Sequence, residues 1–213
     1  DVVPTQVPPV KEKYFEEITS IENDPFPSVG AIITKDGVLI GSGVLIKSNM
    51  VLTAAHVIDD DLPYYFSILD ELIEIDKKII HSNYEHLGSK LSGDIGIVIL
   101  KDDSIIEPVE LVKKDDVMFK GQSVFTVGYG RGYKKYSLPN TFWYYGTLTT
   151  ELDQLKVLPL KDTIWFGDSG GAMFAFVDNQ FKLIGIISSL SIKDGVIDEN
   201  SATSVRYYRD WID

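Results

Sequence analysis

Short apolar segments separated by turn residues run through this sequence from Ser28 to Val205, and they restrict what it can fold into. The segment from Val29 to Thr34 is typical, and Lys35-Asp36-Gly37 is the turn that follows it. Apolar segments of this length, bounded by turn residues, indicate β-strands. Segments with helical spacing are few, so the pattern predicts an all-β barrel or sandwich.

The strand pattern divides the chain into three parts. Residues 1–27 contain several prolines and are expected to form an N-terminal arm or pro-segment, with a short helix over Lys11–Ile18. Two sets of about six strands follow, which predicts a first β-barrel at residues 28–112 and a second at residues 113–213. The tail from Tyr207 to Ile212 has helical spacing, so we expect a C-terminal helix that packs on the barrel.

Composition excludes several classes of function. The chain has no cysteine, which excludes disulfides, thiolate catalysis and cysteine metal sites. Its net charge of −12 repels phosphate backbones, so no nucleic acid partner is expected. No apolar run approaches the roughly 20 residues that span a bilayer, so no membrane span is expected. The acidic residues from Asp70 to Asp76 lack the spacing of a calcium loop, and we expect neither a metal nor a cofactor.

The segment Gly167-Asp168-Ser169-Gly170-Gly171 is the strongest candidate for chemistry. A serine between glycines can occupy a tight turn with its hydroxyl free, and the glycines let a substrate carbonyl approach backbone N–H groups. A serine hydroxyl needs a base, and the base needs an orienting group. His56, at the end of an apolar strand, is the candidate base, because the imidazole pKa of about 6.5 lies near the operating pH. Asp94, at the start of another apolar strand, is the candidate orienting acid.

The order of these three residues distinguishes between folds. A Gly-x-Ser-x-Gly segment also matches the nucleophile elbow of α/β-hydrolases, but that fold places its histidine after the serine, and none follows Ser169. The subtilisin order needs the acid before the histidine on an α/β scaffold; Asp36 precedes His56, but the strand-rich sequence argues against it. The order that remains is His56, Asp94 and Ser169 on β-barrels.

These motifs give the chain a resemblance to the trypsin/chymotrypsin-type serine peptidases from about Ser28 to Trp211, as a cysteine-free, bacterial-like member. Leu52-Thr-Ala-Ala-His56 is similar to the histidine motif of the family, Gly93-Asp94-Ile95-Gly96 resembles its Asn-Asp-Ile-Ala motif, and residues 167–171 match its nucleophile motif. The resemblance implies two six-stranded antiparallel β-barrels of the chymotrypsin type with a short C-terminal helix. It also implies a serine endopeptidase with a polypeptide substrate. We expect a secreted or periplasmic protein whose signal peptide has already been removed.

The resemblance also implies a role for each matched residue. Ser169 attacks the scissile carbonyl and forms an acyl-enzyme, His56 takes and returns the proton, and Asp94 orients His56. The backbone N–H groups of Gly167 and Ser169 form the oxyanion hole. Ser188 matches the position whose hydroxyl supports the buried aspartate and whose backbone pairs with bound peptide.

The specificity pocket is expected to accept small or medium-sized uncharged residues. Thr163 matches the pocket floor, where trypsin-like enzymes carry an aspartate that binds Lys or Arg. Leu190 lies where a glycine usually keeps the pocket mouth open, and Asn200 is expected to line the pocket.

One departure from the family concerns Asp168. In animal members, a new Ile/Val-Val-Gly-Gly amino terminus inserts beside the aspartate that precedes the nucleophile, and no such segment occurs in this chain. Either Asp168 has another partner, or the chain is a zymogen-like precursor whose oxyanion hole is unformed. A non-catalytic binding module on a peptidase scaffold is the alternative from another class, although such modules usually lose a triad member.

Overall fold

The structure is a computed structural model that describes residues 15–87, 90–117, 122–137, 140–141, 153–157, 166–193 and 196–213. The strands in chain order are β1 (Phe15–Glu17), β2 (Val29–Ile33), β3 (Leu39–Lys47), β4 (Met50–Thr53), β5 (Tyr65–Ile68), β6 (Glu71–Ile80), β7 (Glu85–Leu87), β8 (Lys90–Ser92), β9 (Gly96–Leu100), β10 (Ser123–Gly128), β11 (Lys135–Ser137), β12 (Asn140–Thr141), β13 (Gln154–Val157), β14 (Ala172–Val177), β15 (Gln180–Lys193) and β16 (Val196–Ser204). Helices α1 (Ala55–Ile58) and α2 (Arg209–Ile212) are short, as are the 3₁₀ helices at Ile21–Asn23 and Gly130–Gly132. Strands dominate the described residues, as the sequence pattern predicts.

The first β unit is a closed antiparallel barrel with the strand order β2-β3-β4-β9-β6-β5. Its interior is filled by aliphatic side chains and by Phe66, which is 0% exposed. In β5 buried and half-buried residues alternate, because successive side chains of a strand point to opposite faces. The barrel holds β4 and β9 side by side, and the residues after β4 and before β9 therefore lie close together.

The second β unit is an antiparallel sheet with the order β1-β11-β10-β14-β15-β16-β13, and β12 also pairs with β10. The long hairpin of β15 and β16 forms one half of this sheet. A continuous hydrophobic core joins the two units, with Val44 and Leu52 on one side and Phe174 and Ile186 on the other.

Residues 15–17 of the arm form a strand where the sequence pattern predicts a helix. Phe15–Glu17 pairs with β11 at the edge of the second sheet, so the helix predicted over Lys11–Ile18 is wrong for these residues. The physical reason is tertiary: β11 offers unpaired backbone groups, and pairing with them outweighs a weak local preference for helix.

The predicted C-terminal helix is present as α2 and contacts the first unit. The ring of His81, at the end of β6, lies 4.7 Å from the Tyr208 ring and 5.0 Å from the Trp211 ring. Among the residues that the structure describes, no helix is long and apolar enough to cross a membrane. The boundaries at residues 27 and 112 stay predictions.

Candidate active site

His56 and Asp94 meet between the two β units. His56 is the second residue of α1, which begins two residues after the end of β4, and Asp94 lies two residues before β9. The His56 Nδ1 atom is 2.7 Å from Asp94 Oδ2, and the His56 backbone N–H donates to Asp94 Oδ1 at 2.9 Å. This two-point contact fixes both the ring and the backbone of His56 relative to one carboxylate.

The Asp94 carboxylate is buried, whereas the histidine ring is open on one side. The side chain of Asp94 is 0% exposed and that of His56 is 28% exposed. Ser188 Oγ donates to Asp94 Oδ2 at 2.6 Å, and Thr203 Oγ1 donates to the Asp94 carbonyl at 2.8 Å. When Nδ1 donates to the carboxylate, Nε2 of a neutral ring is left as an acceptor.

Ser169 lies beside this pair in the turn before β14. Its hydroxyl is 3.4 Å from the Ser188 carbonyl oxygen. Within the described part of the chain, no hydrogen bond joins Ser169 Oγ to His56. Ser188 therefore contacts Asp94 through its hydroxyl and Ser169 through its carbonyl, which brings the three predicted catalytic residues into one site. Catalytic hydrogen bonds are often long in the absence of substrate.

The turn around Ser169 is held by backbone hydrogen bonds. Gly170 N–H donates to the Ile187 carbonyl at 2.8 Å, and Gly171 N–H donates to the Asp168 carbonyl at 2.9 Å. The φ angles of Gly167 and Gly170, +100° and +84°, lie in the region that favours glycine. The Asp168 carbonyl points to Gly171, so the N–H of the same trans peptide, that of Ser169, points the opposite way. Neither this N–H nor that of Gly167 donates to another described residue.

Ser42 is a functional candidate that the sequence did not identify. Its hydroxyl donates to the Gly167 carbonyl at 2.8 Å and accepts from the Tyr129 N–H at 3.0 Å, and its own N–H donates to the Ser169 carbonyl at 2.8 Å. Ser42 is completely buried in β3, so the first barrel supports the nucleophile turn of the second unit. A polar residue between glycines in the middle of a strand was the available signal.

Asp168 has a partner within the chain. Lys135 Nζ lies 2.7 Å from Asp168 Oδ1 and 2.6 Å from Oδ2, and the Gly130 N–H donates to Oδ1 at 2.7 Å. Both side chains are 2% exposed. A Cβ atom on Gly128 or Gly130 would overlap the carboxylate, which explains the glycines of this segment. Burial lowers the pKa of Lys135 from its usual value, while the charge of Asp168 opposes that shift.

The residues predicted to line the specificity pocket are only partly described. Thr163 lies outside the described residues. Leu190 and Asn200 are register partners on β15 and β16. In the described ranges no group of three or more His, Asp or Glu side chains could hold a metal ion.

Comparisons with known proteins identify a family from the sequence and a fold from the structure. A sequence profile of the Trypsin family matches residues 18–212. Among curated proteins, none matches the sequence significantly. Among solved structures, the chain is similar to neuropsin, a serine protease expressed in the limbic system of mouse brain, with a TM-score of 0.71 at 22% identity. The match covers 88% of this chain and 93% of neuropsin, and it confirms the predicted chymotrypsin-like all-β fold.

Proposed function

Since the chain belongs to the trypsin family of serine endopeptidases, we propose that it cleaves peptide bonds through Ser169, with His56 as the general base and Asp94 as the orienting acid. The observation that carries this proposal is the contact of 2.7 Å between His56 Nδ1 and the buried Asp94 carboxylate, next to Ser169. The three residues are far apart in the sequence, so only the tertiary structure brings them together.

In the proposed reaction the Ser169 oxygen bonds to the scissile carbonyl carbon while its proton passes to His56 Nε2. The carbonyl electron pair moves to the oxygen and forms a tetrahedral oxyanion. When this collapses, the bond to the nitrogen breaks, and His56 returns the proton to the leaving amine. Water then attacks the acyl-enzyme in the same way and releases the acid.

The surroundings of His56 favour the charge that forms during attack. The imidazolium appears beside a buried carboxylate whose other hydrogen bonds come from neutral groups, Ser188 Oγ and the His56 backbone N–H. An ion pair in a buried site is stronger than one in water. The N–H groups of Gly167 and Ser169 are the proposed oxyanion donors, and one such donor is worth roughly 10²–10³ in rate.

The proposed substrates are polypeptides with a small or medium-sized uncharged residue before the scissile bond. Thr163 carries no charge that would attract Lys or Arg. Leu190 is the proposed neighbour of the pocket mouth, and Asn200 is proposed to line the pocket. The backbone of Ser188 is proposed to pair with the bound peptide. We also propose that the protein acts outside the cell or in the periplasm, as a secreted enzyme.

Covalent labelling with a fluorophosphonate tests the proposed reaction. We expect the reagent to label Ser169 in the unaltered chain, with the site read by peptide mass spectrometry. Ser169→Ala is the control that should not be labelled, and Ser104→Ala, at a serine distant along the chain, should leave labelling unchanged. No labelling of the folded chain, together with no peptide cleavage, would contradict the proposal and favour a non-catalytic binding module.

Cleavage of a peptide library tests the proposed specificity separately. We expect cleavage mainly after small or medium-sized uncharged residues. Cleavage mainly after Lys, Arg or Glu would overturn the specificity while leaving the reaction intact.

A further inference from the structure

Two adjacent lysines at the start of β11 are buried, and each binds a different part of the chain. Lys135 binds Asp168 behind the nucleophile. Lys134 Nζ pairs with the Asp24 carboxylate and donates to the Phe26 carbonyl at 2.8 Å. The side chains of Lys134 and Asp24 are 7% and 2% exposed. Lysine is rarely buried without a partner. The two ion pairs therefore connect β11 to the arm on one side and to the nucleophile turn on the other.

The arm also holds β11 through its backbone and through one aromatic ring. The three residues of β1 pair with all three residues of β11, on the side opposite to β10. The Ile18 N–H extends the contact by donating to the Lys134 carbonyl at 2.9 Å. The Phe26 ring stacks on Phe174 at 5.2 Å and contacts the ring of Tyr136 in β11 at 5.5 Å.

We propose that arm residues 15–26 form a clamp that keeps Lys135 beneath Asp168, so that the chain with its arm attached is the active form. Lys135 is then a positioning residue for the oxyanion hole, and loss of the arm inactivates the enzyme. This inference rests on the proposed peptidase function. It is the opposite of the zymogen-like alternative, in which the chain is a precursor with an unformed oxyanion hole.

The coupling has a physical basis in the cost of separating buried charges. If β11 leaves its place, the buried ion pair is broken and the Asp168 carboxylate loses its lysine, which is strongly unfavourable. The carboxylate would have to move toward water. Its own backbone carbonyl sets the direction of the Ser169 N–H through the bond to Gly171, so movement of Asp168 reorients an oxyanion donor.

The chain offers a matched control for a merely structural ion pair. Lys182 on β15 is 2% exposed and contacts both oxygens of Asp116, at 3.1 and 2.9 Å. Lys182 lies in the same sheet as Lys135, but among the described residues neither member of this pair hydrogen-bonds to the nucleophile turn.

The first experiment compares Lys135→Met with Lys182→Met by peptide hydrolysis and fluorophosphonate labelling, at a temperature where both are folded. We expect Lys135→Met to lower kcat by roughly 10²–10³, as for a lost oxyanion donor, with KM little changed. Lys182→Met should lower the melting temperature and keep the wild-type kcat. A wild-type kcat in folded Lys135→Met, or equal losses in both variants, overturns the positioning role.

The second experiment compares two shortened chains, one beginning at Phe15 and one at Thr19. The first keeps β1 and should keep wild-type kcat, whereas the second loses β1 and should lose most of its activity. Full activity of the folded chain that begins at Thr19 overturns the clamp. If that chain does not fold, Glu16→Pro replaces it, with the same two outcomes. The bond from Ile18 to Lys134 fixes the register so that the Glu16 N–H faces β11, and a proline there removes a backbone donor from this pairing.

Hydrogen exchange of the peptide that contains Gly170 and Gly171 separates this inference from the proposed function, because it needs no catalysis. We expect these amides, which are bonded in the turn, to exchange faster in Lys135→Met than in the unaltered chain or in Lys182→Met. An unlabelled, inactive wild-type chain would contradict the proposed function alone. Unchanged exchange in Lys135→Met would contradict the inference alone.

Discussion

Asp94 and Asp168 are equally buried, each 1% exposed, yet their carboxylates are stabilised in opposite ways. Asp168 is paired with a lysine ammonium, and the Gly130 N–H adds a neutral bond. Asp94 accepts from a hydroxyl, a backbone N–H and the His56 ring, and no lysine or arginine among the described residues contacts it. One carboxylate therefore has a permanent cation, and the other has a partner that becomes a cation only when it takes a proton.

This difference matches the role that we propose for each residue. A charge that is already paired gains nothing during the reaction, so Asp168 can only hold a shape. A carboxylate beside a neutral imidazole stabilises the imidazolium when it forms, and interactions that strengthen in the transition state accelerate the chemical step. The comparison predicts that damage to Asp94 affects rate above all, and that damage to Asp168 affects stability as well.

Asp94→Asn should give the largest effect on activity. The amide cannot stabilise the imidazolium and favours the wrong tautomer of His56, so we expect kcat to fall roughly 10⁴-fold. The unfolding free energy, measured with urea, should change less than in Asp168→Asn, since no cation loses its partner. An Asp94→Asn variant that unfolds easily but retains kcat when folded would contradict the proposed difference between Asp94 and Asp168.

Asp168→Asn should be the most destabilising substitution, because it leaves the Lys135 ammonium buried and unpaired. Loss of one partner of a buried pair costs about 3–5 kcal/mol of unfolding free energy. Burial already lowers the pKa of Lys135, and without Asp168 it falls further. A lowered pKa means that the unfolded chain binds the proton more tightly, so the destabilisation should be largest at neutral pH and diminish as the pH rises toward 10.5.

The double variant Lys135→Met/Asp168→Asn sharpens this prediction. It removes both charges, so we expect it to recover much of the lost stability but not the lost kcat. Recovery of both would show that Asp168 affects activity only through stability.

Ser188→Ala should have an intermediate effect, because Asp94 loses a hydrogen bond to a buried carboxylate. Such bonds are worth about 1.5–3 kcal/mol. We expect a moderate loss in both kcat and unfolding free energy, measured by peptide hydrolysis and urea unfolding, and Ser104→Ala serves as the comparison at another buried serine. A wild-type kcat in Ser188→Ala would show that the hydroxyl does not support Asp94 during the reaction.

His81→Phe should give the smallest effect on stability. It extends the comparison to a group with no charged partner. His81 accepts the Asn83 N–H at Nδ1, at 3.0 Å, and burial lowers its pKa below the usual 6.5. The unfolded chain therefore binds this proton more tightly, so the stability that neutral His81 contributes is present above pH 6.5 and is lost as the pH falls below it. We expect the melting temperature of His81→Phe to fall less than that of the unaltered chain between pH 7 and about 5. Equal slopes in the two proteins would contradict this.

The sequence determined the fold class and the candidates for catalysis. Short apolar segments and turn residues are local, so they predict most strands of the first barrel without knowledge of which strands pair. The order of His56, Asp94 and Ser169 is a property of the chain itself, and it selects one fold among those that use such a triad. The glycines at 167, 170 and 171 are also local signals, since tight turns need them.

Only the tertiary structure decided what holds the nucleophile turn and what the arm does. Nothing near Lys135 in the sequence marks it as buried, and its partner is 33 residues away. Ser42 reaches Gly167 across 125 residues, and Phe15–Glu17 is a strand because β11 lies beside it. In each case the free energy comes from pairing with a distant group, and a local pattern carries no information about which distant group folding will bring near.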